Sequence, residues 1–118
     1  MGKPKILIVE DEVLIGFHVQ MELSRAGYEV VGPVATGEEA IESVQIENPD
    51  IILMDIRLMG GMDGIEAARR IAAFSHAGII FVTGYDDLAL KERALFLNPL
   101  AYLSKPVGAR HIDALLKC

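Results

Sequence analysis

The feature that most constrains this chain is an alternation, repeated five times, of a short β-rich run with a longer segment of helical spacing. The runs are Lys5 to Val9, Glu29 to Val34, Ile51 to Met54, Ile79 to Val82 and Ala101 to Ser104. Short apolar runs of this kind, each followed by a helical pattern, suit a parallel sheet covered on both faces. Between them, Val13 to Ala26 puts Leu14, Phe17 and Met21 on one face, and Gly37 to Glu47 does the same with Ala40, Ile41 and Val44. A third segment starts near Asp63 and carries Ile65, Ala68 and Ile71. Asp86 to Phe96 leads with Leu90 and Ala94 into Leu97, and Val107 to Lys117 carries Ile112, Leu115 and Leu116. Each reads as an amphipathic helix whose apolar stripe faces the core. Thr36 and Glu39 stand at capping-box spacing, and Asn48-Pro49 stops the second helix. The expectation is a doubly wound (βα)5 sheet in a single α/β domain over residues 1–118.

At 118 residues, such a domain buries roughly two-thirds of its unfolded surface. A hydrophobic fraction of 52% with 24% charged residues lacks the polar bias of disordered chains. Apolar stretches fall far short of the ~20 residues of a membrane-spanning helix, and the first residues lack a signal-peptide core. A cytoplasmic protein without membrane contact is expected. The net charge of -6 argues against direct nucleic-acid binding, which needs clustered Lys and Arg. Cys118 has no partner for a disulfide and no ligand cluster around it. With Cys118 closing the last helix, the chain either acts alone or forms part of a longer regulator.

In open α/β sheets, ligands bind beyond the carboxyl ends of the strands, where the connections reverse direction. Those positions hold Glu10, Asp11 and Glu12 after the first run, Asp55 after the third, Thr83 after the fourth and Lys105 after the fifth. Carboxylates brought together raise one another's pKa unless a cation intervenes, and hard oxygen donors suit Mg2+. Asp11 and Asp55 are candidates for direct ligands, with Glu10 acting through a water. A metal-bound carboxylate can also be a nucleophile toward phosphorus, which makes Asp55 the candidate acceptor. Lys105 and Thr83 supply the cation and the hydroxyl that charge on a transferring phosphoryl group requires. Glu12 reads as a helix-end charge instead.

The stretches ILIVEDE, PDIILMDIRLMGGMDG, IIFVTGY and AYLSKP resemble, in order and spacing, the signatures of receiver domains of two-component response regulators, the chemotaxis-type receivers among them. The resemblance implies a flavodoxin-like sheet with strand order 2-1-3-4-5. It implies that Asp55 is the phosphoacceptor, that Glu10, Asp11 and Asp55 hold Mg2+, and that the backbone carbonyl of Arg57 is a further ligand. Lys105 matches the lysine that contacts the phosphoryl group, and its bond to Pro106 is expected to be cis. Thr83 and Tyr102 match a switch pair, the hydroxyl moving to the phosphoryl oxygen and the ring turning inward behind it. The implied protein is a signalling switch, not a metabolic enzyme, catalysing only its own phosphorylation and slow dephosphorylation. Its donor is a histidine kinase or histidine phosphotransfer protein. Its output surface is the fourth helix, fifth strand and fifth helix, where Leu88, Lys91 and Leu95 would meet an effector or a second receiver.

Departures from the family pattern carry expectations of their own. Leu58-Met59-Gly60-Gly61 replaces a common proline and lengthens the loop by one residue, which frees the backbone beside the metal site. Gly84 leaves the phosphoryl approach open. Arg57 and Tyr85 occupy positions that tune hydrolysis in the family, and their bulk suggests a phosphorylated form that persists; a small residue in place of Tyr85 is expected to speed its decay.

Two other functions compete with the switch. A degenerate receiver would serve only as a dimerisation or scaffold module. An aspartate-nucleophile hydrolase would need a second aspartate two residues on, where Arg57 stands. His18, His76 and His111 are scattered without ligand spacing and are assigned no chemistry. Met54, Met59 and Met62 read as flexible core filler.

Overall fold

The computed structural model describes residues 3–84 and 87–116. Its elements are β1 (Lys5–Val9), α1 (Val13–Arg25), β2 (Glu29–Val34), α2 (Gly37–Glu47), β3 (Ile51–Asp55), α3 (Gly64–Ala72), β4 (Gly78–Thr83), α4 (Leu88–Leu95), β5 (Ala101–Ser104) and α5 (Ala109–Leu116). The five strands form one sheet in the order β2-β1-β3-β4-β5, every neighbouring pair parallel. This is the flavodoxin-like receiver fold expected from the sequence.

The two-residue period of a strand sorts the apolar runs onto two faces. Ile6, Ile8, Ile51, Leu53, Ile80 and Val82 pack under α1 and α5, against Leu23 and Ile112. Leu7, Val9, Ile52, Met54 and Phe81 pack on the other side, against Ala40 and Val44 of α2, Ile65, Ala68 and Ile71 of α3 and Ala94 of α4. The right-handed rule for crossovers accounts for the partition. The chain leaves β1 in one direction and returns past it to β3, so α1 lies on one face and the later connections on the other. The reversal sits between β1 and β3, which opens a crevice at their carboxyl ends. Several of these side chains, among them Ile6, Leu7, Ile52 and Phe81, are fully buried, each contributing about 1.5–3 kcal/mol of hydrophobic stabilisation.

Local signals set most helix ends. Thr36 and Glu39 form the capping box, and Asn48 closes α2 in the left-handed region. Asp63 caps α3 by accepting from the Glu66 N–H. Asp87 accepts from the N–H groups of Ala89 and Leu90, so α4 starts at Leu88, later than the expected Asp86, which lies outside the described residues. The last helix runs from Ala109 to Leu116, shorter than Val107 to Lys117; Lys117 and Cys118 also lie outside the described residues.

The orientation of α1 is a correction. Leu14, Phe17 and Met21 do not face the core; they are 85%, 54% and 46% exposed. The helix presents Val19 and Leu23 inward instead. Gly16 supplies the reason. It is buried against β2, where an added Cβ would lie 2.8 Å from the Pro33 side chain, so the helix can sit this close only along its glycine face.

Candidate functional site

The carboxyl ends of β1, β3, β4 and β5 bring together most of the residues singled out above. Glu10 follows β1, and its N–H still donates to the Val34 carbonyl at 2.8 Å, which holds its backbone in line with the sheet. Asp55 is the last residue of β3 and pairs with Val82, and Thr83 is the last of β4 and pairs with Ser104. Both therefore end a strand, one position earlier in the architecture than the sequence suggested. Glu10, Asp55 and Thr83 are the buried polar side chains among the described residues. The Lys105 N–H donates to the Thr83 carbonyl at 2.8 Å, so the residue leaving β5 is fixed beside the end of β4.

Lys105 reaches inward. Its Nζ lies 2.8 Å from Glu10 Oε1 and 3.1 Å from Asp55 Oδ2. Oxygens of Glu10, Asp11 and Asp55 lie within 4.8 Å of one another. The charge of this cluster does not balance, since one ammonium faces three carboxylates. Burial, and then the adjacent Glu10, push the Asp55 carboxyl up to about 7 against the opposing pull of Lys105. Burial and Glu10 likewise raise Asp11. Burial pulls the Lys105 ammonium down, but Glu10 and Asp55 together hold it above its ordinary value. Crowded carboxylate donors are what a small hard dication would relieve, and this donor set fits Mg2+.

A cavity of about 330 Å³ opens over the cluster, lined by Asp11, Glu12, Asp55, Arg57, Gly84 and Lys105. It is wide enough to admit a phosphoryl group. Among the described residues, a Cβ on Gly84 would approach only Lys105 Cδ, at 3.9 Å, so they leave the mouth open at this position. Gly64 is needed for close approach: a Cβ there would run into the Asp55 carbonyl oxygen, while its own N–H donates to the Ile56 carbonyl at 2.7 Å. In the preceding loop Gly60 takes φ +90°, and Met59 forms an isolated parallel bridge with Thr36.

The remaining expected residues lie farther out. The Lys105–Pro106 peptide is cis, and so is Gly32–Pro33, which the sequence did not suggest. Tyr102 is half-buried in β5, paired with Phe81, with Lys91 Nζ 5.8 Å from its ring centroid; it packs with the core under α2, α3 and α4 and does not line the acidic mouth. Tyr85 lies outside the described residues. Leu88, Lys91 and Leu95 are exposed on α4. Sequence reasoning missed two links to the site. Asp63 Oδ2 lies 3.5 Å from Arg93 Nη1, joining the start of α3 to α4, and Glu22 of α1 accepts from the Ala109 N–H at 3.2 Å. Neither pair leaves a trace in local spacing, because the partners meet only after folding.

Comparison with known proteins agrees with this geometry. Residues 6–117 match the response regulator receiver domain family. The transcriptional regulatory protein PdtaR of Mycobacterium tuberculosis is 40% identical over 102 residues, 86% of this chain and 49% of that protein. The alkaline phosphatase synthesis transcriptional regulatory protein PhoP of Bacillus subtilis is 33% identical over 114 residues, 96% of this chain and 47% of that one. The chain thus spans about half the length of these relatives. Among solved structures, the receiver domain of a modulated diguanylate cyclase from Desulfovibrio desulfuricans superposes with a TM-score of 0.89 at 40% identity, covering 97% of this chain and 90% of that one. The BeF3-activated receiver domain of RstA from Klebsiella pneumoniae does so at 0.85 and 27% identity, covering 96% and 95%. With its sheet order, its acidic crevice and a family match over nearly its whole length, the chain belongs to the response-regulator receiver domains of two-component signalling.

Proposed function

We propose that the chain is a one-domain phosphorylation switch that takes a phosphoryl group from a histidine kinase or histidine phosphotransfer protein onto Asp55. The placement of Lys105 Nζ within 3.1 Å of both Glu10 and Asp55 at the carboxyl ends of the strands carries this reading. In the transfer, an Asp55 carboxylate oxygen attacks phosphorus in line with the departing imidazole nitrogen, and the P–N bond breaks as the O–P bond forms. Lys105 and the Thr83 hydroxyl stabilise the equatorial oxygens. Glu10, Asp11, Asp55 and the Arg57 carbonyl are the residues that would hold Mg2+. When bound there, the ion would supply positive charge to the phosphoryl oxygens and favour the ionised form of Asp55. Arg57, exposed at the mouth, shields the acyl phosphate from water.

The product carries about -1.5 to -2 charges, which favours a state with Thr83 drawn toward the phosphoryl group and Tyr102 turned inward. The exposed face of α4, with Leu88 at 70% and Leu95 at 46% exposure, together with β5 and α5, is the output surface for an effector or a second receiver. The apolar stripe of α1 beside the crevice suits contact with the donor protein. A cytoplasmic location fits this role, and among the described residues no helix is long and apolar enough to cross a membrane.

Incubation with a small phosphodonor and Mg2+, followed by intact-mass measurement, tests the proposal. Wild type is expected to gain one phosphoryl group and Asp55→Asn none. Equal labelling of the two, or none in wild type, would overturn the assignment. A scaffold-only receiver would give no label while still self-associating.

A further inference from the structure

The amino terminus of α5 is held by a residue from the other end of the chain. The Ala109 N–H donates to Glu22 Oε1 at 3.2 Å, across 87 positions of sequence, and the second Glu22 oxygen lies 2.8 Å from His18 Nε2 on the preceding turn of α1. A carboxylate at a helix amino terminus satisfies a free N–H and meets the positive end of the helix dipole. Gly108 makes the approach possible, since a Cβ there would stand 2.7 Å from Glu22 Oε1.

The tether matters because of what lies between its attachment points. Only Lys105, Pro106, Val107 and Gly108 separate β5 from α5. At one end of this loop the Lys105 N–H is pinned to the Thr83 carbonyl; at the other Glu22 holds Ala109. In between, Lys105 must project its ammonium into the crevice. Val107 is buried and packs with the core under α1 and α5, and the Gly108 N–H donates to His111 Nδ1 at 3.1 Å within the first turn of α5; the Glu22 bond is the one that ties this end of the loop to α1.

We infer that Glu22 is a positioning residue for phosphoryl transfer, setting the reach of Lys105 to Asp55 through the 105–108 loop. The inference rests on the proposal that Asp55 is the acceptor. Small displacements of a charge-stabilising group lower rate without abolishing binding. Glu22 touches neither Asp55 nor the phosphoryl group, so its effect is indirect.

The test compares wild type, Glu22→Ala, Glu22→Gln, Gly108→Ala and the double variant as the full chain, labelled with acetyl phosphate and Mg2+ and followed by intact mass. Glu22→Ala is expected to slow labelling roughly threefold to tenfold, with Mg2+ affinity held within about twofold because the acidic ligands are untouched. Glu22→Gln keeps an acceptor for the Ala109 N–H and is expected to restore most of the rate. Gly108→Ala displaces only the end of a flexible side chain, so it is expected to reproduce Glu22→Ala, and to add nothing in the double variant. Amide exchange at Ala109 is expected to accelerate in Glu22→Ala and Gly108→Ala but not in Glu22→Gln. Should Glu22→Ala fail to fold, Gly108→Ala carries the comparison. Wild-type rates in both single variants, additive slowing in the double, or a Gln variant no better than Ala would overturn the inference while leaving Asp55 as acceptor. Absence of label on wild type would remove both.

Discussion

Lys105 and Asp55, 50 positions apart in sequence, meet at 3.1 Å between Nζ and Oδ2, and the same ammonium lies 2.8 Å from Glu10. One cation therefore holds two buried carboxylates together. Removing it leaves both without their charge partner, a situation that costs about 3–5 kcal/mol where neither can protonate. Lys105→Ala is expected to lose more stability at pH 8 than at pH 5 in denaturant titrations without Mg2+, since Asp55, raised to about 7, takes up a proton at the lower pH. Equal losses at both pH values would contradict the pairing.

The Asp55 carboxyl, pushed up to about 7 by burial and Glu10 from an ordinary 3.8, binds its proton more tightly folded than unfolded. The sign follows: this contribution is complete below about pH 4 and is lost as pH rises through about 7, amounting to at most about 4 kcal/mol. Stability of the metal-free protein is expected to fall across that window, and Asp55→Asn is expected to flatten the slope. An unchanged slope in Asp55→Asn would assign the effect elsewhere.

The same proton competes with the metal. Apparent Mg2+ affinity is expected to rise with pH up to about 7 and level off above it, with proton release on binding. Calorimetry at pH 6 in two buffers of different ionisation enthalpy measures the release directly. Heats independent of buffer would mean that the acidic cluster does not take up the ion in place of a proton.

Gly64 has no room for a side chain beside the Asp55 carbonyl, and the obstacle is backbone. Gly64→Ala is expected to destabilise the fold by about 1–3 kcal/mol and, on the proposed function, to slow labelling of Asp55, because relief requires moving the backbone of Asp55 itself. Gly61→Ala is the contrast, with nothing within 4 Å of the added carbon; it is expected to leave both quantities nearly unchanged. Similar effects of the two substitutions on unfolding would count against this packing.

The two faces of α1 differ in the same way. Leu23, fully buried, is expected to cost about 2–5 kcal/mol on replacement by Ala, while Leu14→Gln is expected to change stability by less than about 0.5 kcal/mol. A large loss for Leu14→Gln would restore the core-facing orientation that its spacing suggested.

Much of this protein was legible before folding was considered. Parallel strands buried on both sides need unbroken apolar runs, so Ile6 to Val9 and Ile51 to Met54 announce themselves. Caps are equally local, and the Thr36–Glu39 box formed as its spacing implied. The acids of the site were visible because a doubly wound sheet puts chemistry at strand ends, and Asp55 and Thr83 missed only by standing on the last strand residue instead of just beyond it.

The rest depended on partners far away in the chain. The α1 sequence offers two apolar stripes on roughly opposite faces, one through Leu14, Phe17 and Met21 and one through Ile15, Val19 and Leu23. Periodicity weighs them alike, and only the fit of Gly16 against Pro33 selected the second. The Glu22 cap of α5 and the Asp63–Arg93 pair are likewise absent from any local pattern. Residue type and spacing along one segment thus determined the elements, their order and the candidate chemistry, because those are governed by short-range sterics and burial. Tertiary packing alone decided which helix face turned inward, which carboxylate Lys105 reached and what held its loop, because each is a contact between segments whose distance in sequence carries no record of their distance in space.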